Sequence, residues 1–388
     1  MTGVAEVALL ACRGSYAVDT LVAYYADRLG ELSGATPSGY ALRPAERPRT
    51  IAVASDWMVA CRRSGEDGVA VLRGLRERAT RLVALDQADP FQLDFPPEEI
   101  SLFDAIIKVN GVYRHPRLYS LQVGAPSARG DWTSGPPRDH SYDEALLERV
   151  HLGPCCLLAS VPAVRARVRS FYVRSRMARA ARRLVDLTQA AALSALRRVE
   201  PTSDVFFLAT LSHIQRADAA RALRSAGFSG RIGIVSVPEY ITGLGGKLGL
   251  VRLGSEARAD LRHQLAREGL LARPLRRPLY LAALQRSRAV VSITGYGEVC
   301  FRMAEALACG RLLVCQDLSH VRTRLPLRDR ENVLFCRSDL ADLADVVAEA
   351  RRNAGLAERI ANQGHADWHA FCDRADAEVA AAFAPLWA

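Results

Sequence analysis

The stretch Ser292–Asp317, SITGYGEVCFRMAEALACGRLLVCQD, decides the fold of the second half of the chain. It predicts an apolar strand, a turn at Gly295 and Gly297, a helix over Glu298–Cys309, and a second apolar strand after Gly310. A strand, a crossover helix and a second strand in this order are typical of a parallel sheet.

The same alternation extends outward on both sides of this stretch. In the second half, DVFFLATL, RIGIVSV and NVLFCR predict further strands, and three helices close the chain. In the first half, VAEVALLAC, RTIAVAS, RLVALD and LFDAIIKVN predict strands, with helices over 17–32 and GVAVLRGLRERA between them. The fold class predicted is α/β, with two Rossmann-like domains facing a cleft. Pro201 marks the boundary between domains 1–200 and 201–388, and the last helix is expected to pack back on the first domain.

Length and composition agree with a two-domain globular protein. A chain of 388 residues is too long for one ordinary core, and 49% apolar residues is a normal share. No apolar run reaches the about 18 residues that a membrane span needs, and the N-terminus predicts a strand rather than a signal peptide. The nine cysteines have no paired spacing. This argues against a zinc site or a disulfide framework and favours a reducing cytoplasm.

The formal net charge of +10 comes almost entirely from arginine. Lys108 and Lys247 are the two lysines, so arginine supplies 50 of the 52 basic residues, which is typical of a GC-rich bacterial genome. The segment Arg165–Arg198 holds ten arginines and one acid, Asp186, with apolar residues at helical spacing. It predicts an amphipathic helix whose basic face either lies in solvent or contacts the phosphates of a substrate, a lipid surface or RNA. Because charge is spread evenly elsewhere, a nucleic-acid partner is not expected.

Three charged residues of the opening stretch allow two interpretations. Glu298, Arg302 and Glu305 are spaced four and three apart, so they share one face of the predicted helix. They could form an exposed ion-pair ladder. Alternatively, the helix start lies at the carboxyl edge of a parallel sheet, where open α/β sheets bind ligands and where free N–H groups suit a phosphate. Arg302 would then clamp a phosphate, and Glu305 would accept hydrogen bonds from a ribose.

This region also resembles a known family. GYGEVCFRMAEALACGRLLVCQD is similar to the donor-site signature of GT-B-fold glycosyltransferases, especially bacterial and exostosin-like members with a CFR..EALA.GR motif, and the likeness runs from about Asp204 to Cys372. The resemblance implies that the C-terminal domain binds a nucleotide sugar and that the N-terminal domain binds the acceptor. It also implies that Arg302 contacts the diphosphate and Glu305 the ribose or donor sugar. Six residues separate Glu298 from Glu305, whereas retaining members often have seven.

Further donor-binding candidates lie at other predicted strand ends and loops. They are Ser212, His213 and Arg216 in a strand-to-helix turn, Lys247 in a glycine-rich loop, Tyr296 in the glycine turn, and His320 after a strand. Helix capping or an ordinary surface position explains each of the strand-end and loop residues as well.

The predicted activity is transfer of a sugar from a nucleotide diphosphate to an acceptor hydroxyl or amine, in natural-product or cell-surface glycan synthesis. Arg302 would stabilise the leaving diphosphate, and a general base is expected from the first domain, where Asp86 and Asp89 follow a strand and Asp56 follows another. No metal constellation or bound cofactor is expected. The alternatives are a sugar-nucleotide epimerase of the same fold, and an anion- or nucleic-acid-binding protein that uses Arg165–Arg198, which could also contact a membrane peripherally.

Overall fold

The computed structural model describes residues 5–12, 15–35, 40, 42–87, 93–114, 119, 144–174, 199–242 and 250–388. The chain divides into two compact units. The first unit contains Met1–Thr188, Val321–Arg324 and Arg374–Ala388, and the second contains Gln189–His320 and Leu325–Asp373. The closing segment from Arg374 therefore belongs to the first unit, although it follows the second unit in sequence.

The first unit is built on a seven-stranded parallel sheet. Its strands and the short β7 are β1 Val7–Leu10, β2 Leu29–Leu32, β3 Arg43–Ala45, β4 Thr50–Ala54, β5 Arg81–Asp86, β6 Ala105–Lys108, β7 Val112–Tyr113 and β8 Val150–Leu152. The strand order is β3-β2-β1-β4-β5-β6-β8, and every neighbouring pair is parallel. The order reverses between β1 and β4, which makes their carboxyl ends the switch point of this sheet.

Helices connect these strands, and one of them is shorter than the sequence predicted. They are α1 Tyr16–Tyr25, α2 Ser55–Arg63, α3 Gly68–Arg76, α4 Pro97–Ile100, α5 Ala145–Arg149, α6 Cys156–Ser160 and α7 Pro162–Arg174. The helix predicted over 17–32 is wrong beyond Tyr25, because Leu29–Leu32 forms β2. Gly30 permits this strand: a Cβ there would lie 2.8 Å from the Cβ atoms of Ala5 and Ala45.

The second unit repeats the plan with five parallel strands. The remaining strands of the chain are β9 Ser203–Thr210, β10 Gly230–Ser236, β11 Tyr240–Thr242, β12 Leu250–Arg252, β13 Ser287–Ser292, β14 Leu312–Gln316, β15 Val321–Arg322 and β16 Leu334–Cys336. The sheet order is β10-β9-β13-β14-β16. Strands β11 and β12 form an antiparallel pair, and β15 pairs with β7 in the first unit. The switch point of this sheet lies between β9 and β13.

The second set of helices covers this sheet and closes the chain. They are α8 Gln215–Ser225, α9 Ser255–Arg267, α10 Arg277–Gln285, α11 Phe301–Ala308, α12 Leu343–Arg352, α13 Ala354–Asp373 and α14 Ala375–Phe383. The core of the second unit includes Phe207, Val291 and Val314, all fully buried. The described strands and helices confirm the predicted α/β class with parallel sheets. No helix within the described part of the chain is long and apolar enough to cross a membrane.

The helix of the opening stretch begins later than predicted. Met303, Ala306 and Leu307 form its buried apolar face, and Val299 is buried in the turn before it. Helix α11 starts at Phe301, because Cys300 is extended, with φ −134° and ψ 160°. Glu298 therefore lies in the turn before the helix and not on the same helical face as Arg302.

Candidate functional site

The candidate site lies where β9 and β13 separate at the carboxyl edge of the second sheet. The two strands pair as far as Val290 and Phe206, although β9 continues to Thr210 and β13 to Ser292. Beyond this point, their backbone carbonyls can bond to other groups. Ligands of open α/β sheets bind at such a switch point.

Two arginine side chains bridge this gap. The guanidinium of Arg302 donates hydrogen bonds to the carbonyl oxygens of Leu208 on β9 and Val291 on β13. Arg216, which is 8% exposed, donates from Nη1 to the Thr210 oxygen at 3.0 Å and from Nη2 to the Ile293 oxygen at 2.9 Å. Both arginines therefore connect the end of β9 to the end of β13.

The two guanidinium charges lie close to each other without a carboxylate partner. Among the described residues, neither Arg216 nor Arg302 forms an ion pair with an acid. Burial and the nearby Arg302 charge lower the pKa of Arg216 to about 10. Burial opposes the charge of Arg302 too, but Tyr280, Cys300 and Glu305 hold its pKa above the usual value. Both side chains are therefore charged at neutral pH, and the excess positive charge suits an anion.

Glu305 is not on an exposed ladder. It is 7% exposed, pairs with Arg277, and accepts a hydrogen bond from the Tyr280 hydroxyl at 2.8 Å. Both partners belong to α10. The predicted exposed ladder is therefore wrong, because Glu305 is buried and Glu298 lies outside the helix. Both carboxylate oxygens of Glu305 already have protein partners, which argues against the predicted contact with a ribose.

The glycine turn fits closely over Arg216. A Cβ on Gly295 would lie 2.5 Å from Nη2 of Arg216 and 2.9 Å from Oγ of Ser212. The Gly295 amide donates to the Gly297 carbonyl at 2.9 Å, which closes the turn. The structure therefore brings together Gly295, Gly297, Ser212 and Arg216, four of the residues predicted from sequence.

A glutamine that the sequence analysis missed holds the other side of the turn. Oε1 of Gln316 accepts hydrogen bonds from the amide and the hydroxyl of Thr294, at 2.9 and 2.6 Å. Its Nε2 donates to the side chain of Gln215 and to the Ser338 carbonyl. The sequence carries one signal for this role: Gln316 is a polar residue at the end of the buried strand β14.

Glu298 and His320 form a pair beside the turn. His320 Nε2 lies 3.0 Å from Oε1 of Glu298, and this hydrogen bond raises the pKa of His320. The carboxylate therefore favours the charged imidazole. Two residues predicted separately as donor contacts thus lie together in the second unit.

Two other candidates have different surroundings. The Tyr296 side chain is 39% exposed, and its hydroxyl donates to the Tyr240 carbonyl at 3.0 Å. Nδ1 of His213 accepts from the Gln215 amide at 3.2 Å, so this ring caps the start of α8. Burial and Arg216 lower the pKa of His213 to about 4, and the ring is neutral near pH 7.

The first unit places the predicted base Asp86 in its interior. Asp86 and Lys108 are both 0% exposed, and Nζ of Lys108 lies 2.7 Å from Oδ1 of Asp86. The second oxygen of Asp86 accepts from the Asp94 amide. Asp86 is therefore poorly suited as a general base, because no oxygen reaches the surface. Asp56 is half-buried at the switch point, where it accepts from the Cys12 amide at 3.3 Å.

The remaining predictions fall partly outside the described residues. The structure's described residues do not include Asp89, Lys247 or positions 175–198 of the basic segment. In α7, Arg165 donates to the Ala159 carbonyl and Arg167 lies over the Tyr24 ring at 4.2 Å, so both contact the protein itself. Within the described chain, no cluster of three or more histidine, cysteine or acidic side chains could hold a metal ion.

Comparison with known proteins finds a family match for part of the second unit. A family model described as "Glycosyl transferase-like" matches residues 260–376, less than a third of the chain. This segment contains α11, Arg302, Glu305 and His320. The match confirms the predicted glycosyltransferase resemblance for residues 260–376, and the CFR..EALA.GR donor motif stays a prediction. It supports neither an epimerase nor a nucleic-acid-binding protein. A sequence search among curated proteins finds no match.

Solved structures show weak similarity over nearly the whole chain. HepE of Anabaena in complex with UDP has a TM-score of 0.49 and 11% identity, covering 98% of this chain and 100% of that one. Sucrose-phosphate synthase of Thermosynechococcus elongatus has a TM-score of 0.47 and 11% identity, covering 96% of each chain. T4 phage β-glucosyltransferase has a TM-score of 0.39 and 9% identity, covering 98% of each. Because these TM-scores lie below 0.5, the functional conclusion rests on the family match and the site geometry.

Proposed function

We propose that the protein, whose residues 260–376 are glycosyltransferase-like, transfers a sugar from a nucleotide diphosphate to an acceptor hydroxyl or amine. The observation that carries this proposal is the pair of guanidinium groups of Arg216 and Arg302. They lie at the switch point of the second sheet without a carboxylate partner among the described residues. A diphosphate would supply the missing negative charge.

The donor would bind along the glycine turn. The diphosphate would face Arg216, Arg302 and the start of α11, where the positive end of the helix dipole favours an anion. The exposed ring of Tyr296 would stack on the nucleobase. Glu298 and His320 would contact hydroxyl groups of the donor. Glu305 would act through Arg277 and Tyr280, because these two residues already occupy its carboxylate.

Catalysis would depend on charge stabilisation and positioning. As the bond between the anomeric carbon and the diphosphate breaks, negative charge grows on the leaving group, and the two guanidinium groups stabilise it. The acceptor oxygen or nitrogen forms the new bond and gives its proton to a base. Asp56 is the better placed described carboxylate of the first unit for this role. In this proposal, arginine charge takes the place of a divalent cation.

The proposal also includes the location of the protein, its acceptor and its source. A cytoplasmic location is supported by the nine cysteines, none of which forms a disulfide. The acceptor would be a small molecule or a glycan. The arginine-rich composition supports a bacterial source.

Nucleotide binding tests the proposal. The melting temperature of the full chain should rise with a uridine, guanosine, adenosine or thymidine diphosphate, less with the monophosphate, and hardly with the nucleoside. The shift should persist in a metal chelator. No rise with any of the four diphosphates would overturn the proposal.

A matched pair of exposed variants locates the binding. Tyr296→Ala should weaken binding of the active nucleotide while leaving the fold intact, because the ring is 39% exposed. Leu279→Ala, which removes a 60% exposed side chain of α10, should bind as the wild type does. Equal affinity in the two variants would place the nucleobase elsewhere.

A further inference from the structure

Two histidines of α13 lie side by side outside the donor site. His365 and His369 are four residues apart, so they share one face of the helix. Their Nε2 atoms are 3.2 Å apart, and the ring planes are inclined at 87°. His365 is half-buried and His369 is exposed, so an ion in solution can reach the pair. The proposed sugar transfer uses neither ring.

The ring of His365 is held in a fixed orientation. Its Nδ1 lies 2.9 Å from the carbonyl oxygen of Leu307 on α11. A carbonyl oxygen can only accept, so Nδ1 carries a proton and Nε2 is the ring nitrogen that faces His369 and can bind a metal ion. The ring also packs over Gly310, where a Cβ would lie 3.6 Å from Cγ of His365. Metal-binding histidines commonly have such a backbone partner on the second nitrogen.

We propose that Nε2 of His365 and Nε2 of His369 bind one divalent cation of the Zn²⁺, Ni²⁺ or Cu²⁺ class. Imidazole nitrogens bind Zn²⁺ at about 2.0–2.1 Å, so two ligands at right or tetrahedral angles are about 2.9–3.4 Å apart. The observed separation of 3.2 Å lies within that range. Water completes the coordination, since no third protein ligand joins the pair among the described residues.

The ion replaces the contact between the two rings. His369 presents its Nε2 lone pair when its proton is on Nδ1, which this exposed ring reaches by a change of tautomer without a net change in charge. Imidazole suits borderline cations, whereas Mg²⁺ and Ca²⁺ prefer oxygen ligands. Because Nδ1 of His365 also bonds to Leu307, the ion would bind the ring that already joins α13 to the end of α11, the helix that carries Arg302.

Titration of the metal-stripped, untagged full chain tests this site. Calorimetry with ZnCl₂ and with NiCl₂ should show one binding site, and MgCl₂ should give none. The melting temperature should rise with the concentration of ZnCl₂ or NiCl₂, because the ion binds the folded chain. Because the exposed Cys12 thiol can also bind Zn²⁺, the titration is repeated in Cys12→Ser.

Variants distinguish the histidine pair from adventitious binding. His369→Ala keeps the bond between His365 and Leu307 and should weaken Zn²⁺ and Ni²⁺ binding by about tenfold or more. His263→Ala, an exposed histidine of α9, should bind as the wild type does. The paramagnetic resonance spectrum of bound Cu²⁺ should show two nitrogen ligands. Unchanged affinity in His369→Ala, no binding at millimolar Zn²⁺, or a single nitrogen ligand would overturn the proposal.

Discussion

At the scale of single residues, Arg302 has two roles that the sequence could not separate. It joins the ends of β9 and β13, and it supplies positive charge for an anion. The motif placed an arginine near a helix start beside a glycine turn, which indicated an anion site. Only the structure shows that β9 and β13 separate and leave the carbonyls of Leu208 and Val291 for its guanidinium. Strand divergence depends on long-range packing, so local sequence patterns do not reveal it.

Replacing Arg302 should therefore affect both folding and nucleotide binding. Arg302→Ala leaves two carbonyls without their donor and should lower the free energy of unfolding by about 2–3 kcal/mol. Arg302→Lys should recover part of this loss, because lysine keeps the charge but lacks the fork. Urea unfolding and calorimetric titration of the active nucleotide measure the two effects. Arg262→Ala, at an exposed position of α9, is the control. An alanine variant as stable as this control would mean that the hydrogen bonds contribute nothing.

Gly295 should not tolerate even one added methyl group. A Cβ 2.5 Å from Nη2 of Arg216 must displace the guanidinium or the turn, and overpacking of this kind costs about 1–3 kcal/mol. Gly295→Ala should unfold at lower urea and bind the nucleotide more weakly. Gly355→Ala is the matched control, since its nearest neighbour is an Asn353 oxygen at 3.9 Å and helical alanine is favourable. Equal urea midpoints for the two variants would show that the turn can move freely.

At the scale of elements, periodicity predicted most strands and helices but missed their ends. The apolar face of α11 is visible in sequence, because burial imposes helical spacing on Met303, Ala306 and Leu307. The start of this helix could not be predicted, because an extended Cys300 has no distinctive local signal. The sequence predicts a helix at β2, because the four residues LGEL are too few to show the period of a strand. Its strand conformation depends on close packing at Gly30.

Packing between α3 and α4 should make stability depend on pH. Glu99 of α4 is 3% exposed, and its Oε2 atom has no hydrogen-bond partner among the described residues. A Cβ on Gly68 at the start of α3 would overlap this carboxylate. Burial raises the pKa of Glu99 from 4.5 to about 7, although Nε of Arg62 lies 3.8 Å from its Oε1. The folded state therefore holds a proton that the unfolded state releases, and stability falls as pH rises through that window.

Glu99→Gln should remove this dependence. The neutral amide avoids the burial of a charge, so the variant should gain more stability over the wild type at about pH 8 than at about pH 5. Urea midpoints at the two pH values measure the difference. Glu256→Gln, at an exposed position of α9, is the control. A Glu99→Gln gain that is equal at both pH values would contradict a raised pKa.

At the scale of the whole molecule, the units are not continuous in sequence. After entering the second unit, the chain returns to the first unit at Val321–Arg324 and again from Arg374. Phe383 and Leu386 are buried, and the Trp387 ring lies 3.8 Å from the guanidinium carbon of Arg28. A single boundary at Pro201, which a change in composition suggests, cannot describe such an exchange. Surface complementarity decides which core a closing helix joins. The amphipathic pattern of that helix carries no information about the surface it packs against.

Two phenylalanines twelve positions apart should therefore act on different units. Phe371 and Phe383 are both 0% exposed, and the division of the chain assigns Phe371 to the second unit and Phe383 to the first. Replacing either by alanine should cost about 3–5 kcal/mol. Hydrogen exchange by mass spectrometry should show faster exchange of β9, β13 and β14 in Phe371→Ala. In Phe383→Ala, it should show faster exchange of β1, β4 and β5. Because the substitution and the burial are the same, each variant is the control for the other. If both variants loosen the same strands, the two units unfold as one cooperative block.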